Sequence, residues 1–167
     1  MMPRPNNLIH TDDINWTDHT RNGKVLFRRK ALGQTAGGNK LGTSLYEVPP
    51  GERLWTYHYH CANEEALCVL EGEGTVRLPD GEHPIGPGDF LAFKVGPKGA
   101  HVVQAGPGSS LRVLIVSTMI EPEVNGYPDS DKVAVFAGSP PGADRSLRTL
   151  DLYLRTDDPV DYWYGEE

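Results

Sequence analysis

His58 and His60 stand two residues apart in Leu54–His60, a run whose β-branched and aromatic content predicts a strand. Side chains alternate along a strand, so both imidazoles project from one face with Leu54 and Thr56. Trp55, Tyr57 and Tyr59 project from the other face. Two imidazoles so placed can converge on one ion from one side. After Ala62-Asn63 come Glu64 and Glu65, followed by the predicted strand Ala66–Leu70. Alternation there groups Glu65 with Leu67 and Val69, and Glu64 with Ala66 and Cys68 on the opposite face. Pro97-Lys98-Gly99-Ala100 then delivers a third histidine, His101, to the start of a later strand. Two or three imidazoles and one carboxylate form a borderline N/O donor set. It suits divalent Mn, Fe, Ni, Zn or Cu better than Mg or Ca. Neutral imidazole and ionised carboxylate are both available at pH 7.

The elements that must position these groups are short and β-rich. Further strands are predicted at Val25–Arg29, Ser44–Val48, Thr75–Leu78, Phe90–Lys94, Val102–Gln104 and Leu111–Thr118. Turn signals separate them: Pro49-Pro50-Gly51, Glu71-Gly72-Glu73-Gly74, Pro79-Asp80-Gly81, Gly86-Pro87-Gly88-Asp89, Gly96-Pro97-Lys98-Gly99 and Gly106-Pro107-Gly108. The 167 residues include 19 Gly and 14 Pro, which break helix interiors and exclude a helical bundle. The expected fold is all-β: a single small barrel or jelly roll. Residues 1–24 read as an N-terminal arm, 25–137 as the barrel domain and 138–167 as a C-terminal extension packed on it. Within the later part, Lys132–Ala137 reads as one more strand after a Glu121–Ser130 loop. Leu147–Leu154 is open between strand and helical turn, and Asp161–Tyr164 reads as an aromatic anchor.

The stretch from Gly51 through His58-Tyr59-His60 and Glu65 to Gly72 resembles the first motif of the cupin superfamily. That motif is a Gly, His-x-His, a Glu three or four residues on, and a Gly seven after it. Glu65 meets the spacing to Gly72; Glu64 does not. Gly88-Asp89 through Pro97-Lys98-Gly99-Ala100-His101 resembles the second motif. It departs in a longer Gly88-to-Pro97 interval and in a single residue between Gly99 and His101, and Gln104 stands near where an Asn often follows. The resemblance implies metal-ligand roles for His58, His60, Glu65 and His101; the ion expected from that donor set is Mn, Fe, Ni or Zn. It also implies a homodimer. The nearest type is the single-domain bacterial cupin of the "cupin 2" kind, whose members have often been labelled sugar-phosphate isomerases.

Bulk properties exclude several other classes. Sixteen Lys and Arg against 23 Asp and Glu give a net charge of −7, with no long basic cluster, which speaks against a nucleic-acid partner. The longest apolar stretch, Leu111–Val116, is broken by Arg112 and is too short for a bilayer. Met1–Asn6 leads into no apolar segment, and Cys61 and Cys68 are too few for a disulfide framework, so a cytoplasmic protein is expected.

The remaining singled-out residues have plainer readings. His10, His19 and His83 are expected at the surface, and Cys61 and Cys68 as structural thiols facing away from the site. Trp55, Tyr57 and Tyr59 are expected in an outer apolar patch with the segment near Val25. Arg53, Lys94 and Lys98 are the nearest cations for an anionic substrate. Tyr46 and Gln104 are the polar neighbours considered for proton transfer, and no general base is identified. Two functions follow. One is a metal-dependent enzyme on a small organic molecule bound in the lumen, of sugar-phosphate isomerase or dioxygenase-like type. The other is a non-catalytic metal or small-ligand sensor barrel, favoured by the apolar lumen residues Leu54, Leu67, Val69 and Val103.

Overall fold

Alternation of apolar with polar residues in most strands leaves each sheet one face that must be covered, and two sheets cover one another. The computed structural model describes residues 4–166. Met1–Pro3 of the expected arm and Glu167 of the expected extension lie outside the described residues. Among the described residues, thirteen strands build two antiparallel sheets in a jelly roll. In chain order they are β1 (Thr17–Arg21), β2 (Lys24–Ala31), β3 (Leu41–Val48), β4 (Arg53–His60), β5 (Glu65–Glu71), β6 (Gly74–Leu78) and β7 (Gly81–Ile85). There follow β8 (Phe90–Phe93), β9 (His101–Ala105), β10 (Leu111–Thr118), β11 (Glu123–Tyr127), β12 (Lys132–Ala137) and β13 (Leu150–Arg155). One sheet has the order β1-β2-β3-β10-β5-β8, and the other β13-β12-β11-β4-β9-β6-β7.

The core lies between the sheets. Val48 on β3, Leu67 and Val69 on β5, and Leu111 and Val113 on β10 face Leu54 on β4, Val76 on β6 and Val103 on β9. All eight are almost wholly removed from water. Burying each contributes roughly 1.5–3 kcal/mol relative to exposure. Leu54, Leu67, Val69 and Val103, expected together in the lumen, all belong to this cluster.

Two glycines fix the approach of strands to the site. Gly72 has φ +79°, and a Cβ there would strike the Ser110 carbonyl and the Leu111 backbone. Gly99, just before His101, has no room for a Cβ against the Lys94 backbone.

Three strands were not expected. β1 lies inside the predicted arm, is polar, and forms an exposed sheet edge that needs no apolar alternation. β7 contains Pro84, which is tolerated because β7 is also an edge strand. β11 falls in the segment read as the Glu121–Ser130 loop; its sequence Glu-Val-Asn-Gly-Tyr carries little strand propensity, yet it pairs with β4 and β12. Leu147–Leu154 divides, with a 3₁₀ turn over Arg145–Leu147 and β13 from Leu150. In the expected aromatic anchor, Tyr162, Trp163 and Tyr164 are all more than two-thirds exposed, so the anchor is not buried against the barrel.

The aromatic residues of β4 do not form one outer patch. Trp55 has φ +62° and sits in a bulge, where β4 advances four residues from Leu54 to His58 while β9 advances two. Its ring meets Phe27 at 4.5 Å and His19 at 5.3 Å. Tyr57 lies instead under Arg77, and Tyr59 against Gly126. Because the bulge adds an even number of residues, His58 stays on the face of Leu54.

Candidate metal centre

β4 carries His58 and His60 inward, both over nine-tenths buried, as alternation from Leu54 requires. The short Cys61–Glu64 link follows, and β5 begins at Glu65, whose carboxylate turns to the same space. Glu65 Oε2 lies 3.3 Å from His60 Nε2 and 3.5 Å from His101 Nε2. His58, His60 and Glu65 each offer a ligand atom within 4.8 Å of the others, a spacing that can hold a metal ion. His101 borders this trio: it pairs directly with His58 across β4–β9, with ring centroids 4.8 Å apart. Phe93 stacks on the His101 ring at 3.7 Å and fixes its plane.

The three imidazoles share one hydrogen-bonding arrangement. His58 Nδ1 donates to the Thr56 carbonyl at 2.7 Å, and His101 Nδ1 to the Gly99 carbonyl at 2.9 Å. A carbonyl only accepts, so each Nδ1 carries a proton and Nε2 is the nitrogen left to face the centre. His60 Nδ1 faces Glu123 Oε2 at 3.3 Å, again directing Nε2 toward Glu65. This is the outer hydrogen bonding that orients imidazole ligands in metalloproteins.

Titration follows from burial and these contacts. Desolvation, with the neighbouring His101 and His60, lowers the His58 pKa to about 3, so its ring is neutral at pH 7. Desolvation works against charge on His60, but its bonds to Glu123 and Glu65 outweigh it and raise the pKa to about 9. Burial likewise opposes ionisation of Glu65, yet hydrogen bonds from His101 and His60 hold its carboxyl far below the usual range. Without an ion, His60 therefore holds one proton more than the neutral ring, between the Glu65 and Glu123 carboxylates. The donor set of neutral imidazole nitrogens and an ionised carboxylate fits a divalent transition metal.

Glu123 was missed in the sequence because its segment read as loop. It is fully buried and receives N–H groups from Cys61 at 3.0 Å, Ala62 at 3.0 Å, Asn63 at 3.1 Å and Val124 at 2.9 Å. The Asn63 amide also donates to it. Burial raises its pKa, but the His60 and Asn63 bonds, with the Ala62 N–H, win and keep it low. The carboxylate thus ties the turn after β4 to β11 and supports His60. The only advance signal was an acidic residue beside a hydrophobic one in an otherwise polar stretch.

Other candidates are placed elsewhere. Glu64 is exposed on the outer face, as alternation required. His10 and His83 are exposed, the latter bound to Asp80 at 3.1 Å. His19 is not a free surface residue, for it stacks on Phe27 at 4.5 Å and burial lowers its pKa. Cys61 is exposed, and partial burial with nearby Glu123 raises its thiol pKa, against reactivity. Cys68 is half-buried. Arg53 and Gln104 bond each other at 3.2 Å, and the Gln104 amide donates to the Gly51 carbonyl, so neither serves the centre. Lys94 and Lys98 are exposed. Tyr46 is buried in the lumen near Glu65 and Arg29, where desolvation raises its phenol pKa. Arg29, not foreseen, donates to Ser44 Oγ at 2.9 Å and to the Gly142 carbonyl at 2.7 Å.

Comparison with known proteins agrees with this geometry. The cupin-domain family model (Cupin_2) matches residues 44–117, which include His58, His60, Glu65 and His101. Among solved structures, a sugar phosphate isomerase of the cupin superfamily from Silicibacter pomeroyi is 25% identical. Its TM-score is 0.75 over 93% of this chain and 97% of that one. The polyketide cyclase RemF from Streptomyces resistomycificus is 26% identical, with a TM-score of 0.57 over 71% of this chain and 80% of that one. KdgF from Halomonas sp. shares the fold at 21% identity, with a TM-score of 0.53 over 65% of this chain and 92% of that one. No curated protein sequence matches. Among the described residues no helix is long and apolar enough to cross a membrane. The chain carries a cupin domain of the Cupin_2 type.

Proposed function

We propose that this protein is a metal-dependent enzyme acting on a small hydroxylated carbonyl compound, an isomerase of the sugar-phosphate type. His58, His60 and Glu65 would hold a divalent ion, with His101 as the fourth ligand. The observation that carries the reading is the common orientation of the three rings: each Nδ1 faces an oxygen, and the Nε2 atoms of His60 and His101 converge on one carboxylate oxygen. Likeness to the Silicibacter protein over 93% of the chain supports the substrate class.

A divalent ion bound there supplies Lewis acidity toward a substrate carbonyl or hydroxyl oxygen. The chain's own groups do the rest. Leu54, Leu67, Val69 and Val103 keep the lumen dry around the reacting end, which strengthens every charge interaction within it. Tyr46, whose phenol keeps its proton at neutral pH, faces the Glu65 side of the lumen and can donate a hydrogen bond to substrate. Arg29 beyond it is a cation suited to an anionic substituent.

Metal analysis of protein purified without chelator, beside the His58→Ala/His60→Ala double variant, tests the centre. Near-stoichiometric metal in the wild type and loss in the variant are expected; equal, negligible metal in both overturns the proposal. Aldose–ketose interconversion of a sugar-phosphate panel by the metal-loaded protein tests the reaction. Full occupancy without turnover favours the sensor reading.

A further inference from the structure

We propose that Asn125 is a substrate-recognition residue, its amide oxygen accepting a hydrogen bond from a hydroxyl of a small polyhydroxylated substrate. The inference rests on the enzymatic reading above and adds the wall of the site that reads the substrate. Asn125 is 4% exposed, and its Oδ1 is buried without a hydrogen-bond partner. Buried side-chain polar atoms are nearly all bonded, and an orphaned acceptor is costly to keep. Neither cross-strand neighbour can relieve it. On β4 it stands opposite His60, whose ring nitrogens face Glu123 and Glu65. On β12 it stands opposite Ala134, fully buried and without a polar side-chain atom.

Position and chemistry together indicate what completes the pair. Asn125 shares the inward face of His60, so its side chain stands beside the space where the ligand atoms converge. Two residues on along the same face, Tyr127 lies nearly parallel to the His58 ring with centroids 6.1 Å apart. The Tyr127 phenol adjoins the Asn125 amide and Tyr153, whose ring centroid is 6.3 Å from its own. Tyr153 is 57% exposed, so the row Asn125–Tyr127–Tyr153 runs from the metal centre to solvent. An uncharged acceptor followed by two phenols suits a chain of hydroxyls rather than a cation or an apolar molecule.

The test uses the full-length, metal-loaded protein with ribose 5-phosphate as the polyol probe and inorganic phosphate as the control. Asn125→Leu removes the acceptor at similar volume, and Asn125→Ala does so with a smaller side chain. Ribose 5-phosphate affinity should fall about tenfold or more in both variants, a loss expected when a buried hydrogen bond to ligand is removed. Metal content and phosphate affinity should not change. The melting temperature of Asn125→Leu should match or exceed that of the wild type, a split that a structural role would not produce. The inference is overturned if the variants bind the sugar phosphate as the wild type does, or if the wild type does not bind it. It is equally overturned if both variants lose fold or metal together with binding. Binding that depends on Asn125 without turnover would overturn the isomerase reading alone; turnover with unchanged binding in Asn125→Leu would overturn this one alone.

Discussion

Removing Glu123 should destabilise the fold more than any other single polar change at the site. In Glu123→Ala the N–H groups of Ala62, Asn63 and Val124 lose the carboxylate that binds them, whereas Cys61 N–H retains the Val124 carbonyl at 2.9 Å. Three orphaned donors in a buried or half-buried turn cost about 1–3 kcal/mol each, and water entering the vacated space offsets part of this, leaving roughly 3–6 kcal/mol. A domain of this kind has a total stability of about 5–15 kcal/mol, so the variant should be marginal. Glu123→Gln keeps one oxygen but sets an amide N–H₂ against donors, and should lose roughly half as much. Urea denaturation followed by fluorescence of the three tryptophans measures both. The pH dependence carries a second signature. Glu123 is held below its ordinary pKa, so its contribution is present above the unfolded carboxylate value and lost as pH falls through the folded one. Part of the wild type's acid sensitivity should therefore vanish in Glu123→Gln. A Glu123→Ala loss under about 1 kcal/mol would refute the account of Glu123 as the acceptor that holds this turn.

Three other outcomes are expected. Metal affinity should rise from pH 6 to pH 9, because His60 holds a proton up to about pH 9 and the ion must displace it; calorimetry in buffers of different ionisation enthalpy should find about one proton released at pH 7, and none would refute it. Gly72→Ala should cost more than the roughly 1–3 kcal/mol of a left-handed backbone alone, since its Cβ also meets the Ser110 carbonyl; an unchanged melting temperature would contradict the close packing of β5 on β10. Leu67→Ala, at a fully buried position, should lose about 2–5 kcal/mol in urea titration while leaving His58 and His60 in place, checked by retained metal content.

Local patterning made much of this legible. In β4 and β5 the alternation of apolar and polar residues placed His58, His60 and Glu65 on the inner face and Glu64 on the outer, as found. β10 and β12 were read to their ends because their apolar content is continuous. The edge strands β1 and β7 were not legible, since a strand with one partner and an exposed face needs neither apolar residues nor freedom from proline. β11 failed for another reason: its strand is stabilised by two neighbours distant in sequence, not by its own residues.

What the order of residues determined by itself was the face from which each ligand-type side chain projects, because strand periodicity is a property of the backbone and needs no partner. It also determined where the chain turns, through glycine and proline. Only the tertiary structure decided which groups those side chains meet. The pairing of β11 with β4 brings Glu123 under His60 and Asn125 beside it, across about sixty positions of sequence. The same pairing converts a buried acid into the support of a turn, and leaves the Asn125 amide oxygen buried without a hydrogen-bond partner. Such contacts depend on strand order and register, which long-range burial sets and no local pattern encodes.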